Sequence, residues 1–103
     1  MSWKTLRIEG IARIEREVAK FLVEPVSPDL PMGFRIKIVE RQDGDFIGYS
    51  EIAVKDAKGQ PDGTSGRGAT IEEALADTVQ AVLRTANDNP PVDDDSIWWD
   101  PSF

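Results

Sequence analysis

Apolar residues recur every three or four positions from Ile11 onward, at Ile11, Ile14, Val18, Phe21 and Leu22. That spacing predicts a helix with one apolar stripe. Arg13, Glu15, Arg16, Glu17 and Lys20 fall on its other face, and Glu9–Arg13 and Arg13–Glu17 stand four apart. Pairs of that kind add about 0.2–0.5 kcal/mol each. Pro25 ends the pattern, because the residue before a proline is pushed out of the α region. Upstream, Trp3, Leu6 and Ile8 fit either a short strand or an irregular lead-in.

The period changes after a loop punctuated by Pro25, Pro28 and Pro31. Phe34, Ile36 and Ile38 alternate with Arg35 and Lys37, the mark of a half-buried strand. Gln42-Asp43-Gly44-Asp45 reads as a tight turn. Phe46 to Val54 reads as the second strand, broken or bent near Gly48. Asp56 to Gly68 is polar and glycine-rich; it is a long hairpin loop, or a loop plus a short third strand near Ser65–Ala69. A second helix starts at Thr70. Thr70 and Glu73 form a capping box in which each side chain bonds the other's amide. Its buried stripe is Ile71, Ala74, Leu75, Val79, Val82, Leu83 and Ala86, and Asn87-Asp88-Asn89-Pro90-Pro91 stops it. The fold class expected is therefore α+β: an N-terminal helix, a two- or three-stranded antiparallel sheet, a second helix packed on one face, and an extended acidic C-terminal tail. Residues 1–87 are read as one domain and 88–103 as the tail.

Charge sharpens the view of that tail. The chain carries a formal −7 over 103 residues, and Asp88, Asp93, Asp94, Asp95 and Asp100 supply five of those charges in a stretch without Lys or Arg. Such a chain repels phosphate backbones and anionic membranes, so neither nucleic acid nor membrane is an expected direct partner. It suits a protein with a basic surface. There is no Cys and no His, which removes disulfides, thiolate chemistry, the commonest general base and the commonest zinc ligand. No enzymatic activity, cofactor or metal is expected. Asp93-Asp94-Asp95 lacks the glycine of a calcium loop, Trp98 standing in its place. Gly66-Arg67-Gly68 lacks the remaining residues of a phosphate loop. Arg35, Lys37 and Arg41 are interspersed with acids and have no stacking aromatics on the strands, so they read as a solvent face. No apolar run reaches a membrane span or resembles a signal peptide, so the cytoplasm is the expected location.

The tail's aromatics are the main functional signal. Ile97, Trp98, Trp99 and Phe103 are large apolar groups set among aspartates. Trp is enriched in binding hot spots, and acidic neighbours steer a basic partner. The aromatics either dock back on this domain or dock on a partner, and the two readings can coexist. The candidate partner-binding residues are Asp93, Asp94, Asp95, Ile97, Trp98, Trp99, Asp100 and Phe103.

Phe34-Arg35-Ile36-Lys37-Ile38-Val39, Asp43-Gly44 and the run from Gly66 through Thr70-Ile71-Glu72-Glu73-Ala74-Leu75 resemble the partial ribonuclease-H-like domain of HicB-type antitoxins over residues 34–86. The resemblance implies strands followed by a capped helix, and binding to a ribonuclease toxin. HicB proteins continue into a DNA-binding module; here the acidic tail takes that place, so repressor activity is not implied. The expected function is a small non-enzymatic inhibitor that binds a nucleic-acid-binding protein partner, of anti-CRISPR-like or other phage-borne kind. The alternatives are a HicB-like antitoxin and a self-associating accessory subunit, a homodimer included, that adds a strand at a free sheet edge.

Overall fold

Residues 15–23 are extended, and the N-terminal helix expected there does not form. In the computed structural model, which describes residues 2–26, 28, 30, 32–62 and 64–103, they are strand β1 (Glu15–Val23). Pro31 and Gly63 lie outside the described residues. β1 pairs antiparallel with β2 (Phe34–Arg41), in a register that shifts between Glu17 and Ala19 and leaves Val18 unpaired. This bulge explains the misreading. It inserts one residue into the alternation, so Val18, Ala19, Phe21 and Val23 all pack toward the core. The interval from Val18 to Phe21 is then three, as in a helix, although the backbone is a strand. Leu22, assigned to the same apolar stripe, is exposed on the other face, and Ile11 is exposed in the lead-in. Arg13 meets Glu15 (3.4 Å) rather than the residues four away. Trp3–Thr5 is a single 3-10 turn.

The single run expected over 46–54 is two strands in two sheets. β3 (Phe46–Ser50) pairs with β2, and β4 (Ile52–Lys55) turns away at Glu51. β5 (Pro61–Asp62) pairs with β4, and β6 (Ser65–Gly68) returns to β3. The break falls at Glu51 rather than at Gly48, which sits in regular register opposite Ile38 and Gly66. Helix α1 (Ile71–Asp88) follows, then a 3-10 turn (Asp94–Ser96) and β7 (Ile97–Trp99) against β4. The sheets have the orders β1-β2-β3-β6 and β5-β4-β7. Instead of a two- or three-stranded sheet under two helices with an extended tail, the protein is a mostly-sheet α+β fold. One helix covers one face of the larger sheet, and the C-terminal segment supplies a strand to the smaller.

Thr70 caps α1 as expected, accepting the Glu73 amide (3.1 Å); the Glu73 carboxylate accepts the Ala69 amide (2.9 Å), one residue earlier than a capping box requires. α1 lies mainly over β6 and β3. Its fully buried positions are Ala74, Thr78, Val82 and Ala86, and Ile71, Leu75 and Val79 pack partly buried against the core as expected, whereas Leu83 is exposed. Thr78 is fully buried, and its hydroxyl bonds the Ala74 carbonyl (2.7 Å). The core joins these residues to Phe34, Ile36, Ile38, Ile52, Val54, Leu30 and Ile97. At one end of the sheet Glu40 is buried and ion-paired to Lys4 (3.0 Å) and Arg16 (2.7 Å), which ties the N-terminal segment to β1 and β2. The Gln42 amide donates to the Trp3 and Leu6 carbonyls beside it. The molecule is elongated: its radius of gyration is 15.2 Å, against about 13 Å for a typical chain of this length.

The seat of α1 requires glycine. A Cβ on Gly66 would overlap the Thr78 backbone nitrogen and the Asp77 carbonyl carbon, and one on Gly68 would meet Glu73 and the Ala74 nitrogen. Gly66→Ala must lift the helix off the sheet. We expect a loss of about 1–3 kcal/mol or more, the range for overpacking a close-packed site, measured by chemical denaturation. Unchanged stability would show that the helix does not sit this close.

Candidate functional site

The acidic aromatic segment is divided between anchor and surface. Ile97 is only 6% exposed and belongs to the core. Its neighbours on β7 are the reverse: Trp98 is 40% and Trp99 45% exposed. β7 pairs with β4 so that Ile97, Trp98 and Trp99 lie opposite Val54, Ala53 and Ile52. Successive strand residues point to opposite faces, so the two indoles are presented on the two sides of an edge strand. Asp93 and Asp95 are exposed on the turn before it; Asp94 belongs to the same turn, and its side chain lies outside the described residues. The Asp93 carboxylate accepts a hydrogen bond from the Ser96 hydroxyl (3.3 Å), and no ion pair involves Asp93 or Asp95 among the described residues.

Beyond β7 the chain crosses to the helix-free face of the larger sheet. The Asp100 amide donates to the Glu51 carbonyl (2.9 Å), and the Asp100 carboxylate accepts both the amide and the hydroxyl of Ser102 (2.9 and 2.8 Å). The Ser102 amide and then its hydroxyl, helped by Lys37, hold the Asp100 carboxyl below its usual range against the opposing effect of burial. The Phe103 ring rests among Lys37, Lys20 and Arg35, whose charged groups lie 5.2, 5.3 and 5.4 Å from its centroid. Each such contact contributes about 0.5–1 kcal/mol at an exposed site. Arg35 is itself fixed by Glu51, with N–O distances of 2.7 and 3.2 Å. That bond lowers the Glu51 carboxyl and raises the Arg35 guanidinium further above its usual value. The eight candidate residues are therefore not one patch. Asp93 and Asp95 are exposed before β7, Trp98 faces the larger sheet, Trp99 is on the opposite side of the strand, and Asp100 and Phe103 hook the chain end over that sheet.

Between hook and sheet lies an open groove of about 540 Å³, walled by Val39, Tyr49, Trp98 and Phe103 with Arg13, Glu15 and Lys37 at its rim. Two polar atoms on its lining, Glu15 Oε2 and Thr64 Oγ1, are buried without a hydrogen-bond partner among the described residues. Tyr49, Glu15 and the Lys20–Arg35–Lys37 cluster escaped sequence reasoning. Strand alternation placed Arg35 and Lys37 on the helix-free face, but Lys20 joins them only once β1 is known to be a strand. Among the described residues no group of three His, Cys, Asp or Glu side chains is arranged to hold a metal ion, and no helix is long and apolar enough to cross a membrane. No family model matches the chain, and neither the search of curated proteins nor the search of solved structures gives a match.

Two expectations separate anchor from surface. Ile97→Ala removes buried methylenes and costs about 2–5 kcal/mol, whereas Trp99→Ala costs less than about 1 kcal/mol, as for an exposed position. Denaturation curves of the two variants check this, and equal losses would contradict the division. Acid provides the other. The lowered carboxyls of Glu51 and Asp100 stabilise the fold fully above their ordinary values of 4.5 and 3.8, and that contribution is lost as pH falls through the lower folded values. The melting temperature should therefore hold at neutral pH and fall in acid. Glu51→Gln should lower the neutral plateau and shrink the acid-dependent drop, and an unaltered profile would remove Glu51 from the account.

Proposed function

We propose that the protein is a small non-enzymatic inhibitor that binds a protein partner at the edge strand β7, with Trp98 and Trp99, one on each side of the strand, as anchors and Asp93, Asp94 and Asp95 as steering charges. The observation that carries this reading is the contrast along three residues: Ile97 alone anchors the strand, while its two tryptophans stay close to half exposed. A self-docking segment has no need to leave two indoles in water, and such side chains gain most when a partner desolvates them. Asp93 and Asp95 have no cation of their own among the described residues, so their field favours a basic surface such as one that grips nucleic acid. A chain without cysteine is consistent with action in the cytoplasm. A HicB-like antitoxin is the second reading. It is favoured by the antiparallel run β2-β3-β6 leading into capped α1 over the residues that carry the resemblance.

The test is affinity capture from the host with the intact protein and with an Asp93→Asn, Asp95→Asn, Trp99→Ala variant that retains Ile97. The expected result is a basic partner held by the intact protein, released by raised salt and absent from the variant, with melting unchanged. A ribonuclease toxin in that place selects the antitoxin reading. An identical set of captured proteins with both forms would refute β7 as the binding surface.

A further inference from the structure

Among the described residues β1 is the longest strand and forms an edge of the larger sheet, with β2 as its one hydrogen-bonded neighbour. Residues 15–23 make no backbone hydrogen bond outside that ladder among the described residues. α1 stands over β6 and β3, so β1 receives little of its cover. Val18, Ala19, Phe21 and Val23 are apolar and face the helix side, yet each is only partly buried. A long edge with a half-covered apolar face is a site for strand addition unless something blocks it.

Two features of β1 are ordinary blocking devices, a bulge and inward or edge charges. Both, however, are self-complementary. Register with β2 puts Glu15, Glu17, Lys20 and Leu22 on the helix-free face and Arg16, Ala19, Phe21 and Val23 on the helix face; the unpaired Val18 packs on the helix side too. Strands paired antiparallel must match face to face at every rung. In an unbulged strand, a twofold axis between two successive residues would set opposite faces against each other. In β1 the bulge removes that conflict. An axis between Val18 and Ala19 places Glu17 opposite Lys20, Glu15 opposite Leu22 and Arg16 opposite Phe21, every pair on a common face. Glu17 and Lys20 thus meet twice across the axis as opposite charges, and just past the strand ends the same register brings Arg13 opposite Glu24. Opposite charges directly across an antiparallel pair are favourable and like charges unfavourable. A strand of another sequence meets the bulge and the charges as obstacles, whereas a second copy of this chain meets them as partners.

We propose that β1 is a homodimerisation edge: two copies join antiparallel about the Val18–Ala19 step into one continuous eight-stranded sheet with a helix of each copy on the same face. The interface is isologous, as twofold dimers require, and its ladder does not use the backbone of β7.

The test is sedimentation velocity combined with charge reversal. The intact protein should sediment at twice its chain mass of 11.4 kDa. Glu17→Lys alone sets two lysines against each other across the axis and should give monomer; Lys20→Glu alone should do the same with two acids. An equimolar mixture of the two single variants places Lys opposite Glu at both rungs and should restore the dimer, as should the double reversal in one chain. Both positions are solvent-exposed, and circular dichroism of each single variant shows whether it is folded. A monomer at every soluble concentration of the intact protein overturns the proposal. So does a dimer that ignores the single reversals, or single variants that stay monomeric when mixed.

Discussion

α1 can approach the larger sheet because three glycines face it. Gly48, Gly66 and Gly68 present only hydrogen where a Cβ would collide with Thr78, the Asp77–Thr78 peptide or the Glu73–Ala74 turn. With the axis this close, the helix meets the sheet through small residues, Ala74, Thr78 and Ala86, and the buried threonine hydroxyl is satisfied within its own helix. The glycines also fix where the helix lies. They occupy β3 and β6, so the helix is held on that side and leaves β1 at the thinly covered end of the sheet. The open edge and the elongated outline follow from this seating.

The C-terminal segment completes what the helix does not. Ile97 joins the core opposite Val54, and the hook from Asp100 to Phe103 lays an aromatic ring among Lys20, Arg35 and Lys37. The segment's negative charge is thus spent in two ways. Asp100 is engaged with Ser102 and near Lys37, while Asp93 and Asp95 are exposed and have no ion pair among the described residues. A single acidic run serves both attachment and display, and the tryptophans mark the border between the two.

Much of this was legible where one face of an element is wholly buried. β2 alternates cleanly, α1 announces its start with Thr70 and Glu73, and the turn at Asp43-Gly44 closes the hairpin as read. Reading failed where a local irregularity broke the period. The bulge at Val18 turned a strand's alternation into helical spacing. The departure at Glu51 split one apolar run between two sheets, because Glu51 bonds Arg35 through both its amide and its carboxylate and breaks the rhythm of β3. Leu83 looked buried by spacing, but the close seat of the helix narrows the contact stripe and leaves it outside. For the site, composition found Trp98 and Trp99. It did not separate them from Ile97, because only β7's pairing with β4 assigns one residue to the core and two to the surface. The Lys20–Arg35–Lys37 cluster needed β1 to be recognised as a strand before its members met.

Glu51 belongs to both sheets at once. Its side chain grips Arg35 at the start of β2, its amide donates to the Arg35 carbonyl (2.9 Å), and its own carbonyl receives Asp100 at the end of β7. The consequence is one of cooperativity. The smaller sheet is too short to persist alone, since isolated two- and three-residue strands have little to bury, and its apolar residues Ile52, Val54 and Ile97 share one core with Ile36 and Ile38. Opening it releases Arg35 and bares the core of the larger sheet, so the two sheets melt as a single unit rather than as separate foldons. A ligand that grips β7 therefore stabilises residues well beyond its footprint, as far as the strand that carries Arg35.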